Sequence, residues 1–163
     1  MQSENQGILE AIDIAMEAEK KANAFYLDAK TKVSSDRGKD LLQQLADFEQ
    51  NHYNKLNDLK AALTNDGSFI QYDGTHFKEY KAASEASGSI ESNKDELSEI
   101  LNLAIDAETK ASERYQKLAD ETSDPEGKAM FTKLAAEETM HRRILSDEFY
   151  QMHNRGGLWF WGD

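Results

Sequence analysis

The sequence predicts an all-helical protein, an antiparallel four-helix bundle built from two helical hairpins joined by a long crossover. Three observations predict it. Pro125 is the only proline and glycines number nine in 163 residues, so little in the chain interrupts a helix, while Ala, Leu, Glu, Lys and Gln favour one. Residues 97 to 149 can be laid on residues 8 to 60 at a constant offset of 89 with no gap, an internal repeat. Its matched pairs include Glu19/Glu108, Lys21/Lys110, Tyr26/Tyr115, Gly38/Gly127, Glu49/Glu138, His52/His141 and Leu56/Leu145. Within each copy the inward candidates recur at spacings that alternate between three and four, as one buried face of a bundle helix requires.

The first helix carries the stripe Ile8, Ile12, Ala15, Glu19, Ala22, Tyr26 and Ala29, and the second carries Leu42, Leu45, Glu49, His52, Leu56, Leu59 and Leu63. Ser34, Ser35 and Asp36 separate them. The third and fourth repeat the arrangement with Leu97, Leu101, Ala104, Glu108, Ala111, Tyr115 and Leu118, then Phe131, Leu134, Glu138, His141, Leu145 and Met152. Ser123, Asp124 and Pro125 divide this second pair, Asp124 suiting an N-cap and Pro125 a first helical position. Both breaks are short, so each repeat is expected to form an antiparallel hairpin. Between the repeats, residues 64 to 95 are rich in Asn, Asp, Gly and Ser, and a structureless loop of that length is unusual in a compact domain. A crossover running the length of the bundle accounts for it, with room for a short helix near His76 to Ala86. The whole chain, 1 to 163, is expected to be one domain: repeat 8–60, crossover 64–95, repeat 97–149 and an apolar tail at 156–163.

Acids outnumber bases 31 to 19, a formal charge of −12. This argues against binding nucleic acid or an anionic membrane by bulk charge, and makes cations the natural counter-partners. With no cysteine, disulfides, thiolate zinc sites, cysteine-held iron–sulfur clusters and cysteine catalysis are excluded. No stretch approaches the roughly 20 apolar residues of a membrane span, and Met1 to Gly7 do not resemble a signal peptide. A cytoplasmic protein is expected.

A carboxylate inside an apolar stripe is costly unless something neutralises it. Six polar residues occupy such positions here, and they match in pairs: Glu19 with Glu108, Glu49 with Glu138, and His52 with His141. The second and fourth helices each carry Glu-x-x-His, a spacing that puts both side chains on one face about a turn apart, within reach of one ion. One such motif in an acidic helix is usually a solvated charge pair. Two in the same register on core stripes, each accompanied by an inward Glu, fit the two-metal centre of carboxylate-bridged helical bundles. Oxygen and imidazole ligands suit iron or manganese and also admit zinc.

On these six positions the chain resembles the ferritin-like di-iron superfamily, and the rubrerythrin family in particular, over residues 8 to 152. The resemblance implies a centre of two iron ions that reacts with hydrogen peroxide or dioxygen. Glu19, Glu49, Glu108 and Glu138 would be its carboxylate ligands and His52 and His141 its nitrogen ligands, the six carrying the catalysis through the metal. Two departures stand out. Rubrerythrins usually add a cysteine-rich rubredoxin domain, absent here, so electrons would come from a separate rubredoxin-like protein or flavoprotein. Their third helix also carries an extra glutamate one turn past the ligand, where this chain has Ala111, which brings the set closer to the symmetric ferroxidase centre of bacterioferritins.

Tyr26 and Tyr115, two turns past the ligand Glu of their helices, read either as core aromatics or as hydrogen-bond donors to a ligand carboxylate. His76 and His153 lack matched partners and read as surface residues. The tail containing Trp159 and Trp161 reads as packing on its own bundle or on a second subunit. The resemblance implies a homodimer, and the long crossover permits a swapped one. Peroxide reduction by a di-iron centre is the leading expectation. The alternatives are a ferroxidase or iron-handling protein and a non-catalytic, metal-bound helical scaffold.

Overall fold

A computed structural model describes residues 2–77 and 94–154. It contains four helices, α1 (Gln2–Lys30), α2 (Asp36–Asp66), α3 (Lys94–Glu121) and α4 (Pro125–Asn154). Local chemistry fixes their ends. Ser35, extended at φ −78° and ψ 144°, caps α2 by accepting a hydrogen bond from the Gly38 N–H. Gly67, at φ 66°, closes the helix in the left-handed conformation, its N–H on the Leu63 carbonyl. Asp124 Oδ1 accepts from the N–H groups of Glu126 and Gly127, and Pro125 opens α4 as expected. The first helix starts at Gln2, six residues before its apolar stripe.

The hairpins form as expected: α1 packs along α2 and α3 along α4, and the two hairpins meet along α1 and α3. All four stripes point inward; every described member is buried except Ala22, which is half-buried. The apolar core falls into two clusters. One gathers Ile8, Ile12, Leu56, Leu59, Phe131 and Leu134, and the other gathers Leu41, Leu42, Leu45, Leu97, Leu101 and Leu145. Each fully buried side chain of this kind stabilises the fold by about 1.5–3 kcal/mol relative to exposure. The Glu and His side chains sit on the same stripes between these clusters, so apolar packing at both ends holds a polar layer in the middle of the bundle.

The start of the crossover is pinned to this frame. Phe69 packs so closely on Gly127 that a Cβ there would lie 2.5 Å from its ring, so glycine at 127 is required by the approach. Tyr72 is buried in the first cluster. His76 and Phe77 are not helical, and the rest of the short helix expected at 76–86 lies outside the described residues, as does the apolar tail. Among the described residues no helix is long and apolar enough to cross a membrane.

Candidate metal centre

Each helix delivers its polar residue to the same point because that residue replaces an apolar one in the buried stripe. Glu19 of α1, Glu49 and His52 of α2, Glu108 of α3, and Glu138 and His141 of α4 are all at most 3% exposed. They form two overlapping groups. Glu19, Glu49, His52 and Glu138 bring one ligand atom each within 4.8 Å of one another, and Glu49, Glu108, Glu138 and His141 do the same. Glu49 and Glu138 belong to both. Both imidazoles face inward through Nδ1. That of His52 is 3.1 Å from Glu19 and 3.5 Å from Glu49 and from Glu138; that of His141 is 2.7 Å from Glu108, 3.2 Å from Glu138 and 3.5 Å from Glu49. All six expected residues are therefore brought together.

Four carboxyl groups so close, and away from water, cannot all remain charged unaided. Burial first, then the neighbouring carboxylates, push Glu19 and Glu49 above the ordinary range, and Glu108 up to about 7. Burial acts the same way on Glu138, but His52 and His141 outweigh it and hold that carboxyl below its usual value. The two histidines are held protonated against the pull of burial: Glu19 and Glu138 raise His52, and Glu108 raises His141 to about 9. Several polar atoms still lack a well-formed hydrogen bond. Glu49 Oε1, Glu108 Oε2, both Glu138 oxygens and His141 Nδ1 are buried without a hydrogen bond, even though His141 Nδ1 and Glu108 Oε2 are only 2.7 Å apart. Buried oxygen and nitrogen atoms that converge without bonding one another are what a cation would satisfy. The donor set fits a metal ion such as iron.

The Rubrerythrin family model matches residues 1–60 and 70–155. The chain belongs to the Rubrerythrin family. A solved structure of a hypothetical protein from Pyrococcus furiosus superposes with a TM-score of 0.71 at 22% identity, covering 90% of each chain, which supports the fold. Comparison with curated proteins gives no match. The extra glutamate of rubrerythrins has no counterpart here: Ala111 occupies its place, and the nearby Glu113 is exposed.

Both tyrosines are fully buried. Tyr115 donates its hydroxyl proton to Glu19 Oε2, and Tyr26 is hydrogen-bonded to Glu108. Both are core aromatics, one in each apolar cluster, and both also donate to a carboxylate of the buried group. Burial, and then these carboxylates, raise both phenols well above their ordinary values, so they remain donors. His76 is exposed, as expected, and the side chain of His153 lies outside the described residues.

Sequence reasoning missed Glu137. Its Oε1 lies 2.9 Å from His52 Nε2 and accepts from the Tyr72 hydroxyl at 2.5 Å, while its Oε2 accepts from the Thr75 N–H at 2.8 Å. Those donors hold its carboxyl below the usual range despite burial. The only sequence signal was the Glu137–Glu138 pair itself, and nothing in Tyr72 or Thr75 marks the crossover as their partner. The carboxylate cluster also lines a cavity. A cavity of about 290 Å³ between α1 and α3, walled by Ala22, Phe25, Ala107 and Ala111, runs down to Glu19, Glu49, Glu108 and Glu138. Lys21, Lys110 and Arg114 are its only charged residues apart from the cluster.

Proposed function

We propose that this rubrerythrin-family chain is a di-iron oxidoreductase that reduces hydrogen peroxide, or dioxygen, with electrons from a separate donor protein. The observation that carries the reading is the pair of overlapping ligand groups sharing Glu49 and Glu138, a donor set for two ions side by side. Glu19, Glu49, His52 and Glu138 would hold one ion, and Glu49, Glu108, Glu138 and His141 the other. Two ferrous ions held there would supply the two electrons that, with two protons, reduce peroxide to two waters.

The chain's own residues do the rest. Tyr115 and Tyr26 hold the outer carboxylates Glu19 and Glu108 in place. The small side chains along α1 and α3 leave a path wide enough for a small oxidant and largely apolar. Lys21 and Arg114 stand beside it, with Lys110 paired to Asp106 at 2.9 Å, and this positive charge at the path favours an uncharged oxidant over the repeated iron transit that a storage ferroxidase needs. None of the 163 residues is a cysteine, so they hold no rubredoxin-type iron, and the reading assigns electron delivery to a separate donor protein.

Stopped-flow mixing of the anaerobic ferrous protein with peroxide tests the reading. Rapid growth of ferric absorbance is expected. A metal-loaded protein that stays ferrous would leave only a structural metal scaffold.

A further inference from the structure

We infer that the two metal positions are inequivalent: the position built on His52 takes its ion first and more tightly, the position built on His141 second and more weakly, and Glu137 sets that order. The inference rests on the two-ion reading above.

The inward polar residues and the tyrosines of the repeat are matched: Glu19 with Glu108, Glu49 with Glu138, His52 with His141, Tyr26 with Tyr115. The match breaks where Glu137 on α4 corresponds to Phe48 on α2. Glu137 takes His52 Nε2 at 2.9 Å and is itself fixed by Tyr72 and by the Thr75 N–H. Three donors fix this carboxylate in place, with its Oε1 set to receive an Nε2–H of His52 while Nδ1 faces the other carboxylates. An imidazole whose outer N–H is given to a carboxylate is both oriented and made a stronger ligand.

Among the described residues His141 has no such support. Its Nε2 is buried without a hydrogen-bond partner. The Phe48 ring stands at 90° to it with centroids 4.3 Å apart, and the Phe77 ring is 5.6 Å away. Binding an ion through Nδ1 requires the proton on Nε2, where no oxygen receives it; a contact with a ring face is a weak substitute. The same six-ligand set therefore contains one pre-oriented imidazole and one uncompensated one.

Titration of the metal-free full-length chain with Co²⁺, followed by calorimetry and by the visible absorption of the bound ion, tests the order. Two resolved steps are expected. His52→Ala should remove the tighter step and His141→Ala the weaker. Glu137→Gln should weaken the tighter step by about 10–100-fold and leave the other within a few-fold, whereas Tyr72→Phe, which loosens the crossover but keeps the carboxylate, should not reproduce that loss. Phe48→Glu should strengthen the weaker step. Equal affinities in the unaltered chain, loss of the tighter step in His141→Ala, or equal weakening of both steps by Glu137→Gln would overturn the inference. If Glu137→Gln does not fold by circular dichroism, the two histidine variants decide the order. A chain that binds no Co²⁺ would instead overturn the two-ion reading.

Discussion

The Tyr115 hydroxyl on α3 donates a hydrogen bond to the Glu19 carboxylate on α1, so a residue of the second hairpin holds a carboxylate of the first. Tyr26 on α1 returns the same service to Glu108 on α3. Tyr115→Phe keeps the ring in the core and removes only the donor, leaving Glu19 buried with one partner fewer. It is expected to destabilise the metal-free protein by about 1–2 kcal/mol, read by urea unfolding. Unchanged stability would mean that the hydroxyl does not hold Glu19.

The shared carboxylates separate from the outer ones by stoichiometry. Glu49 and Glu138 stand in both ligand groups, Glu19 and Glu108 in one each. Elemental analysis after iron loading should find about two ions per unaltered chain and about one in Glu19→Ala or Glu108→Ala, while Glu49→Ala together with Glu138→Ala should bind none. Undiminished iron in that double variant would place the metal elsewhere.

Acidity should act on the metal-free bundle in an unusual direction. Burial among other carboxylates raises Glu108 from 4.5 to about 7, so as pH climbs through that window the unfolded chain ionises freely while the folded one must charge its core; stability falls. His141, raised by Glu108 from 6.5 to about 9, gives a stabilisation that is complete below the lower value and lost above the higher. Glu49, Glu19 and His52 shift upward as well, and the lowered Glu137 and Glu138 act only below 4.5. Thermal unfolding of metal-free protein is thus expected at lower temperature near about pH 9 than near about pH 5. Because ions displace these protons, the gain in melting temperature on adding metal should grow over the same interval. A metal-free melting temperature that rises with pH would contradict this account of the core charges.

The bundle and the six inward polar residues were legible because each of the six occupies a position where the three-four spacing demands a buried side chain, and because a second copy repeats it. Glu137 was not. It lies one residue off the stripe beside Glu138, its repeat mate is Phe48, and its partners Tyr72 and Thr75 sit in a stretch with no periodicity to report burial. Glu148 is buried more deeply still and equally silent, since its repeat mate is the ordinary core residue Leu59. Periodicity identifies what faces the bundle axis; it does not identify what the crossover folds down to cover.

The path between α1 and α3 can be narrowed without touching a ligand. Ala22 stands on its wall, half-buried. Ala22→Leu should slow oxidation of the ferrous protein by peroxide by about tenfold or more, on the order of 1.4 kcal/mol in the barrier, with metal content unchanged. Equal rates in stopped-flow mixing would place the oxidant's route elsewhere.

The central claim, a pair of redox ions held by Glu19, Glu49, His52, Glu108, Glu138 and His141, is tested most directly by anaerobic titration of the ferrous-loaded chain with hydrogen peroxide, followed by ferric absorbance. A break at about one peroxide per chain is expected, since two ions yield two electrons. An end point near half that value, or no oxidation while the iron remains bound, would contradict it.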